Sequence, residues 1–110
     1  MKIARNAEGR ALYFSRAPIP HARGLASASL PLSSEAYLRH IGVYAFTPAA
    51  LARWMALPET HLENVEKIEV LRPLAGGMSV GVAITQHTSI GIDTPADLER
   101  AEQLMRRENA

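Results

Sequence analysis

The chain has 110 residues, of which 47% are hydrophobic, so it can form one small domain with its own core. Its 12 basic and 11 acidic residues give no reason to expect nucleic acid as a partner, and the lack of cysteine excludes disulfides and thiolate chemistry. It shows no secretory signal and no stretch near the roughly 20 apolar residues that span a bilayer, so we expect no membrane partner and a cytoplasmic location.

The chain begins with two strand-like runs, residues 2–5 and 10–15, joined by an Asn-Ala-Glu-Gly connection that is typical of a hairpin. A two-stranded hairpin is marginal in water, so this one needs further partners. Pro18 and Pro20 then exclude a regular helix or a central strand. Residues 21–34 are rich in serine, alanine and glycine without a period, and they predict a loop.

Residues 37–46 return to the alternating pattern of a strand. The next element should be a helix that extends to about Leu57, because Thr47 can serve as its N-cap and Pro48 fits its first position. Apolar residues at a helical spacing then predict a second helix over residues 62–71. Pro73 should break or kink the last turn of that helix, since it cannot donate a backbone hydrogen bond.

Residues 78–85 alternate well enough to predict a strand. A last helix should run from Pro95 to about Arg107, and its inward side chains should be Leu98, Ala101, Leu104 and Met105. The expected architecture is therefore α/β, with a small mixed sheet and three helices. We see no internal repeat and no boundary, so we expect a single domain over residues 1–110.

The segment 91–99, Gly-Ile-Asp-Thr-Pro-Ala-Asp-Leu-Glu, is the most informative stretch of the chain. Thr94 and Asp97 have the spacing of a capping box, and Pro95 fits the first helical position. These roles leave Asp93 unexplained, one residue before the cap. It is either a solvated turn residue or a metal or substrate ligand at the end of a strand, where open α/β sheets place their ligands.

Other polar residues also have two readings. His40 and Tyr44 would share one face of the predicted strand, at most about 13 Å apart. They could line a cleft for a polyhydroxylated ligand, or they could be half-buried boundary residues. Arg16 could bind a carboxylate or phosphate with its fork of donors, or it could be a surface residue. Glu69 is most simply a solvated side chain on a helix.

Two common kinds of site have no support in this sequence. Neither a glycine-rich dinucleotide motif nor a lysine-bearing phosphate loop occurs. The histidines lack the spacing of a zinc site. They are His21, His40, His61 and His87.

Four segments, taken in order, resemble the C-terminal half of the 3-deoxy-manno-octulosonate cytidylyltransferase family, the CMP-KDO synthetases. They are residues 13–20, 39–46, 68–72 and 91–99. The resemblance implies part of a Rossmann-like nucleotidyltransferase fold, the half that binds sugar and forms a homodimer. It also implies the family's activity in lipopolysaccharide synthesis, which transfers CMP from CTP to the anomeric hydroxyl of KDO with magnesium and releases pyrophosphate.

The resemblance also implies roles for particular residues. Arg16, His40, Tyr44 and Glu69 stand where the family contacts KDO, and Asp93 stands where it supplies a magnesium ligand. A sugar acid offers a carboxylate for an arginine and hydroxyls for the other three side chains. A hard oxygen ligand suits magnesium.

Two departures from the family limit these expectations. Val70 stands where the family usually has a glutamine, with Pro73 close behind it. The family's N-terminal half, which holds CTP and another metal-binding aspartate, has no counterpart in this sequence. We therefore expect a synthetase-like portion that is inactive alone and needs magnesium and a complementary CTP-binding chain, or alternatively a non-catalytic module that forms homodimers.

Overall fold

The computed structural model describes residues 1–24, 37–86 and 90–108. Most of the predicted loop at 21–34, and His87, lie outside these ranges. The described elements, in chain order, are β1 (Lys2–Arg5), β2 (Ala11–Ser15), β3 (Leu38–Arg39), α1 (Pro48–Met55), α2 (His61–Glu66), α3 (Leu71–Ala75) and α4 (Pro95–Glu108).

The predicted N-terminal hairpin is confirmed. β1 and β2 pair antiparallel, with Ile3 opposite Phe14. The turn between them is closed locally, since the Asn6 side chain accepts a hydrogen bond of 2.8 Å from the Arg10 backbone N–H. Gly9 has a φ of +74°, a conformation that few other residues adopt without strain.

The sheet has the order β2-β1-β3, and both described strand pairs are antiparallel, so the expected mixed sheet is not observed. Of the strand predicted over residues 37–46, the described structure keeps only Leu38–Arg39. The reason is local. The Val43 N–H donates to the Ile41 carbonyl over 2.7 Å, and such a three-residue turn takes the chain away from the sheet.

The single helix predicted over residues 62–71 is two helices, α2 and α3, and the break lies earlier than expected. Lys67 ends α2 in the left-handed region, with a φ of 54°, and its N–H donates to the Glu63 carbonyl. Pro73 does not end a helix. It lies in the first turn of α3, where its missing N–H has no helical partner to lose.

The core lies between the sheet and the two short helices. Leu71 is fully buried and Phe14 is 2% exposed. The buried apolar residues are Ile3, Ala11, Phe14, Ile68, Val70 and Leu71. Hydrophobic burial in the described residues is thus concentrated where the hairpin meets α2 and α3.

The segment 78–86 follows the hairpin without forming a regular strand. The Ala11 N–H donates to the Val80 carbonyl and the Val82 N–H to the Gly9 carbonyl, both over 2.8 Å. These bonds flank an isolated antiparallel bridge between Arg10 and Gly81. The strand predicted over 78–85 is therefore reduced to one bridge in the described structure.

The two helices predicted from Thr-Pro starts are both present, as α1 and α4. The side chains expected to point inward from α4 are nevertheless exposed, with Leu98 at 48% and Met105 at 63%. None of the described helices is both long and apolar enough to cross a bilayer.

Candidate functional site

An open cleft of about 1050 Å³ lies between the segment that follows β3 and the segment 78–86. His40 and Tyr44 line one wall, with Phe46 and Trp54 beside them. The structure thus brings two of the predicted sugar-site residues together in this cleft.

His40 and Tyr44 contact each other directly. The Tyr44 hydroxyl lies 2.7 Å from His40 Nε2, a hydrogen bond whose direction depends on the imidazole tautomer. On a regular strand the two residues would be farther apart, but the turn at Ile41 and Val43 folds the chain back. The side chains therefore form one polar unit instead of two separate contacts.

His40 is held in a partly apolar environment. Its ring meets the edge of Phe14 at a centroid distance of 5.4 Å, and its buried Nδ1 has no hydrogen-bond partner among the described residues. Burial, and after it the positive amino group of Met1, lowers the pKa of His40 from its ordinary value of 6.5. His40 is therefore neutral at pH 7 and can both donate and accept a proton in hydrogen bonds.

The rings of Phe46 and Trp54 extend this wall beyond Tyr44, and the sequence analysis did not assign these two residues to a site. The Tyr44 and Phe46 rings are stacked with centroids 6.2 Å apart, and Trp54 lies 5.0 Å from Phe46 and 6.4 Å from Tyr44. Tyr44 and Phe46 remain 40% and 42% exposed. The available signal was the pair of aromatic residues two apart before a Thr-Pro helix start, which places α1 next to the strand-like segment.

Glu69 lies in the link between α2 and α3 and is exposed. Burial, and then the negative charge of Glu69, raises the pKa of the Tyr44 hydroxyl above its ordinary value of 10.0. The Glu69 carboxylate is thus within electrostatic reach of Tyr44, although the two belong to different segments. The charge of Glu69 thus acts on Tyr44, but Glu69 is not among the residues that line the cleft.

Arg16 is bound to the end of α2. Its Nε donates to the Glu66 carbonyl over 2.7 Å, and its Nη2 donates to the Lys67 carbonyl over 2.9 Å. These carbonyls carry the partial negative charge of a helix C-terminus, which a guanidinium stabilises. In this conformation Arg16 joins the hairpin to α2, and its predicted contact with a sugar carboxylate stays a prediction.

Glu66 is a further polar residue that the sequence analysis missed. Its carboxylate accepts hydrogen bonds from the Ser15 hydroxyl over 2.6 Å and from the Arg16 backbone N–H over 3.0 Å. These two donors, the Arg16 N–H first, lower the pKa of Glu66 from its ordinary value of 4.5. Because its partners are about 50 residues away in the chain, no local pattern could have indicated this role.

The start of α4 has the predicted capping box. The Asp97 carboxylate accepts from the Thr94 hydroxyl over 2.7 Å and from the Thr94 N–H over 3.0 Å. In return the Asp97 N–H donates to the Thr94 hydroxyl over 3.2 Å. The Thr94 side chain, and after it the Thr94 backbone, lowers the pKa of Asp97 from its ordinary value of 3.8.

Asp93 precedes this cap and is exposed, and its backbone N–H also donates to Asp97 over 3.3 Å. Magnesium prefers an octahedron of oxygen ligands. The described ranges contain no group of three or more His, Cys, Asp or Glu residues placed to hold a metal ion. Within the described residues Asp93 has no such partners, so its role as a magnesium ligand stays a prediction for a site completed by other groups.

Comparison with known proteins places the chain in a family. Residues 1–80 match the family model described as cytidylyltransferase. The chain therefore belongs to the cytidylyltransferase family.

Individual relatives of the chain carry a narrower name than the family model does. The 3-deoxy-manno-octulosonate cytidylyltransferase of Syntrophotalea carbinolica is 44% identical over 108 residues, which are 96% of this chain and 43% of that protein. The enzyme of the same name from Anaeromyxobacter sp. strain K is 48% identical over 105 residues, 96% of this chain and 41% of that protein. The similarity to this family inferred from four sequence segments is thus confirmed.

A solved structure agrees with these relatives. CMP:2-keto-3-deoxy-manno-octonic acid synthetase complexed with CTP superposes with a TM-score of 0.83 at 36% identity, over 97% of this chain and 42% of that chain. The described architecture is thus that of part of a nucleotidyltransferase fold. The chain spans about two-fifths of the length of the curated relatives that it matches.

Proposed function

We propose that this chain is the sugar-binding portion of a CMP-KDO synthetase-like protein, corresponding to the C-terminal half of the family's enzymes. In this proposal KDO occupies the end of the cleft next to His40 and Tyr44. The observation that carries the proposal is the 2.7 Å contact between these two side chains on the cleft wall.

The chemistry of the wall suits a sugar acid. A neutral His40 and the Tyr44 hydroxyl together offer donor and acceptor positions to sugar hydroxyls, and Glu69 adds a carboxylate acceptor. The exposed ring of Phe46 gives an apolar surface for the C–H face of a sugar. Arg16 would bind the sugar carboxylate, in addition to or in exchange for its bonds to α2.

The whole reaction needs groups beyond this portion. In the proposed reaction the anomeric hydroxyl of KDO forms a bond to the α-phosphorus of CTP, the bond between the α- and β-phosphates breaks, and pyrophosphate leaves. A bound metal would polarise the α-phosphate. Asp93 would contribute one ligand to that metal. The role of His40, Tyr44 and Glu69 is to bind and orient the sugar. We expect the purified chain to form no CMP-KDO from CTP, KDO and magnesium.

Calorimetric titration of the chain with KDO at millimolar concentration tests the proposal. We expect measurable binding that is lost in His40→Ala and weakened in Tyr44→Phe, because each substitution removes one member of the polar pair. His61→Ala is the matched control, since His61 lies exposed at the start of α2, away from the cleft lining. No heat of binding with the folded wild-type chain would contradict a surviving sugar site.

A second candidate function is a non-catalytic module that forms homodimers. It is favoured by the apolar residues that α1 and α4 leave on the surface, with Met55 75% and Met105 63% exposed. Sedimentation equilibrium distinguishes the candidates. A stable dimer without affinity for KDO supports the module, and KDO binding supports the sugar site whatever the oligomeric state.

A further inference from the structure

The end of helix α2 holds the guanidinium of Arg16 along one edge only. The Nε and Nη2 atoms of Arg16 donate to the Glu66 and Lys67 carbonyls over 2.7 and 2.9 Å. As the last carbonyls of α2, both lack a partner within the helix. A guanidinium carries five N–H donors in a rigid fork. The donors that remain lie at its Nη1 and Nη2 end, have no partner among the described residues, and match a carboxylate.

The strand register brings Arg16 to the end of the sheet that carries His40. Lys2 of β1 pairs with Ser15 on one side and with Arg39 on the other. Arg16 and His40 directly follow these two partners, so both lie at the same end of the sheet. Their Cα atoms are roughly 10 Å apart, which is two strand spacings. One sugar acid can therefore contact both side chains.

The Glu66 carboxylate also fixes the backbone from which Arg16 projects. It accepts from the Arg16 N–H over 3.0 Å and from the Ser15 hydroxyl over 2.6 Å. Ser15 is 2% exposed, and its oxygen accepts in turn from the Ala17 N–H over 3.1 Å. Glu66 thus restrains Arg16 at the backbone through its side chain and at the guanidinium through its carbonyl. Such restraint lowers the entropy that an arginine loses when it binds a ligand.

We propose that Glu66 is a positioning residue, which holds Arg16 so that the free end of its guanidinium receives the carboxylate of the sugar acid. Glu66 does not contact the sugar in this arrangement. It should favour an acid over an uncharged sugar of the same shape, since only the acid uses the oriented donors fully. The inference rests on the proposed function, because it takes a sugar acid as the ligand.

Calorimetric titration with KDO and with its methyl ester, which lacks the negative charge, tests the inference. The measured quantity is the ratio of the two dissociation constants. We expect the wild-type chain to prefer KDO about tenfold or more, because hydrogen bonds between charged groups are stronger than neutral ones. Arg16→Gln should abolish this preference. Glu66→Gln should reduce it about threefold or more, because Arg16 is then less well oriented.

Thr60→Ala is the matched control, because it removes the N-cap at the opposite end of the same helix. It should destabilise α2 and leave the ratio unchanged, since a loss of folded protein weakens the binding of both ligands equally. Ser15→Ala is a second variant, which removes one donor to Glu66 and keeps the carbonyls of α2 in place. It should reduce the preference by less than Glu66→Gln, and it decides the test if Glu66→Gln does not fold.

Each other outcome overturns the inference. An unchanged ratio in Glu66→Gln, or in Ser15→Ala if only that variant folds, shows that Glu66 supports the fold alone, and so does an equal fall in Thr60→Ala. The proposed sugar site then still stands. A preference that survives in Arg16→Gln, or is missing in the wild type, shows that Arg16 does not bind the carboxylate. Binding of neither ligand by the folded wild-type chain contradicts the proposed function as well.

Discussion

The hairpin region and the cleft region of this molecule are built in different ways. In the hairpin region, β1 and β2 pack on α2 and α3 around Phe14 and Leu71, and the Glu66 carboxylate of α2 accepts a hydrogen bond from Ser15 of β2. In the cleft region, the segments 40–46 and 78–86 expose apolar side chains and have few regular backbone bonds. Helix α4 is regular but also leaves apolar side chains such as Leu98 and Met105 exposed. The buried core of the described residues thus lies in the first region, and the exposed apolar side chains lie mainly outside it.

This difference locates the candidate site at the boundary between the two regions. His40 packs its ring on Phe14 in the core, and the Tyr44 that it contacts is 40% exposed in the cleft. A rigid scaffold that carries polar groups on adjacent segments is the usual arrangement for a binding site. The core thus fixes the His40 side of the site.

Leucine-to-alanine substitutions at Leu71 and Leu98 should give the largest expected difference in the free energy of unfolding. Leu71→Ala removes a fully buried side chain and should lower the free energy of unfolding by about 2–5 kcal/mol. Leu98→Ala changes a residue that is 48% exposed on α4 and should stay within about 0.5 kcal/mol of the wild type. Urea unfolding of both variants measures the difference. Equal losses would show that α4 packs on the core in solution.

Glu66→Gln should give a smaller and pH-dependent loss. The folded-state pKa of Glu66 lies below 4.5, so its carboxylate contributes stability above that pH, and this contribution is lost as the pH falls through the folded-state pKa. At pH 7 the variant should have a lower urea midpoint of unfolding than the wild type. The difference between the two midpoints should become smaller as the pH falls below 4.5.

Glu99→Gln is the control for this measurement, since Glu99 is exposed on α4. Its free energy of unfolding at pH 7 should differ from that of the wild type by no more than about 0.5 kcal/mol. A gap for Glu66→Gln that stays constant down to strongly acidic pH would show that the bonds from Ser15 and Arg16 do not depend on the charge.

Thr94→Ala should act on α4 alone. Loss of this N-cap costs about 1 kcal/mol of helix stability, which raises the equilibrium constant for local opening of the helix roughly fivefold. Amide hydrogen exchange in the first turn of α4 should accelerate by that factor, and exchange at Phe14 should not change. Faster exchange both in α4 and at Phe14 would mean that α4 and the hairpin region unfold as one unit.

The elements that the sequence predicted correctly depend on neighbouring residues. The hairpin turn at Gly9, the Thr47 cap and the box of Thr94 and Asp97 each use bonds within four residues. The end of α2 at Lys67 has no comparable local pattern in the sequence. The apolar spacing continues across it, and lysine rarely adopts the left-handed backbone conformation that ends the helix. Local rules could not place it.

The contacts within the candidate site could not be predicted from neighbouring residues either. His40 and Tyr44 were identified as a pair, but their direct contact depends on a turn inside a segment whose alternation indicated a strand. The bonds of Arg16 to the end of α2 join residues about 50 positions apart. The sequence was enough to choose the candidate residues, whereas the distances between their side chains and their hydrogen-bond partners depend on tertiary packing.

The smallest expected effect concerns the protonation of His40 at the boundary. Burial lowers its folded-state pKa below 6.5, so the neutral form predominates at pH 7. Protonation favours the unfolded chain as the pH falls through 6.5 towards the folded-state pKa, so folding stability should decline slightly in that window. In an NMR titration the His40 ring resonances should have a midpoint below 6.5, and in urea the midpoint should return to the ordinary value. An unchanged midpoint would place the His40 ring in water and assign it to the open cleft region.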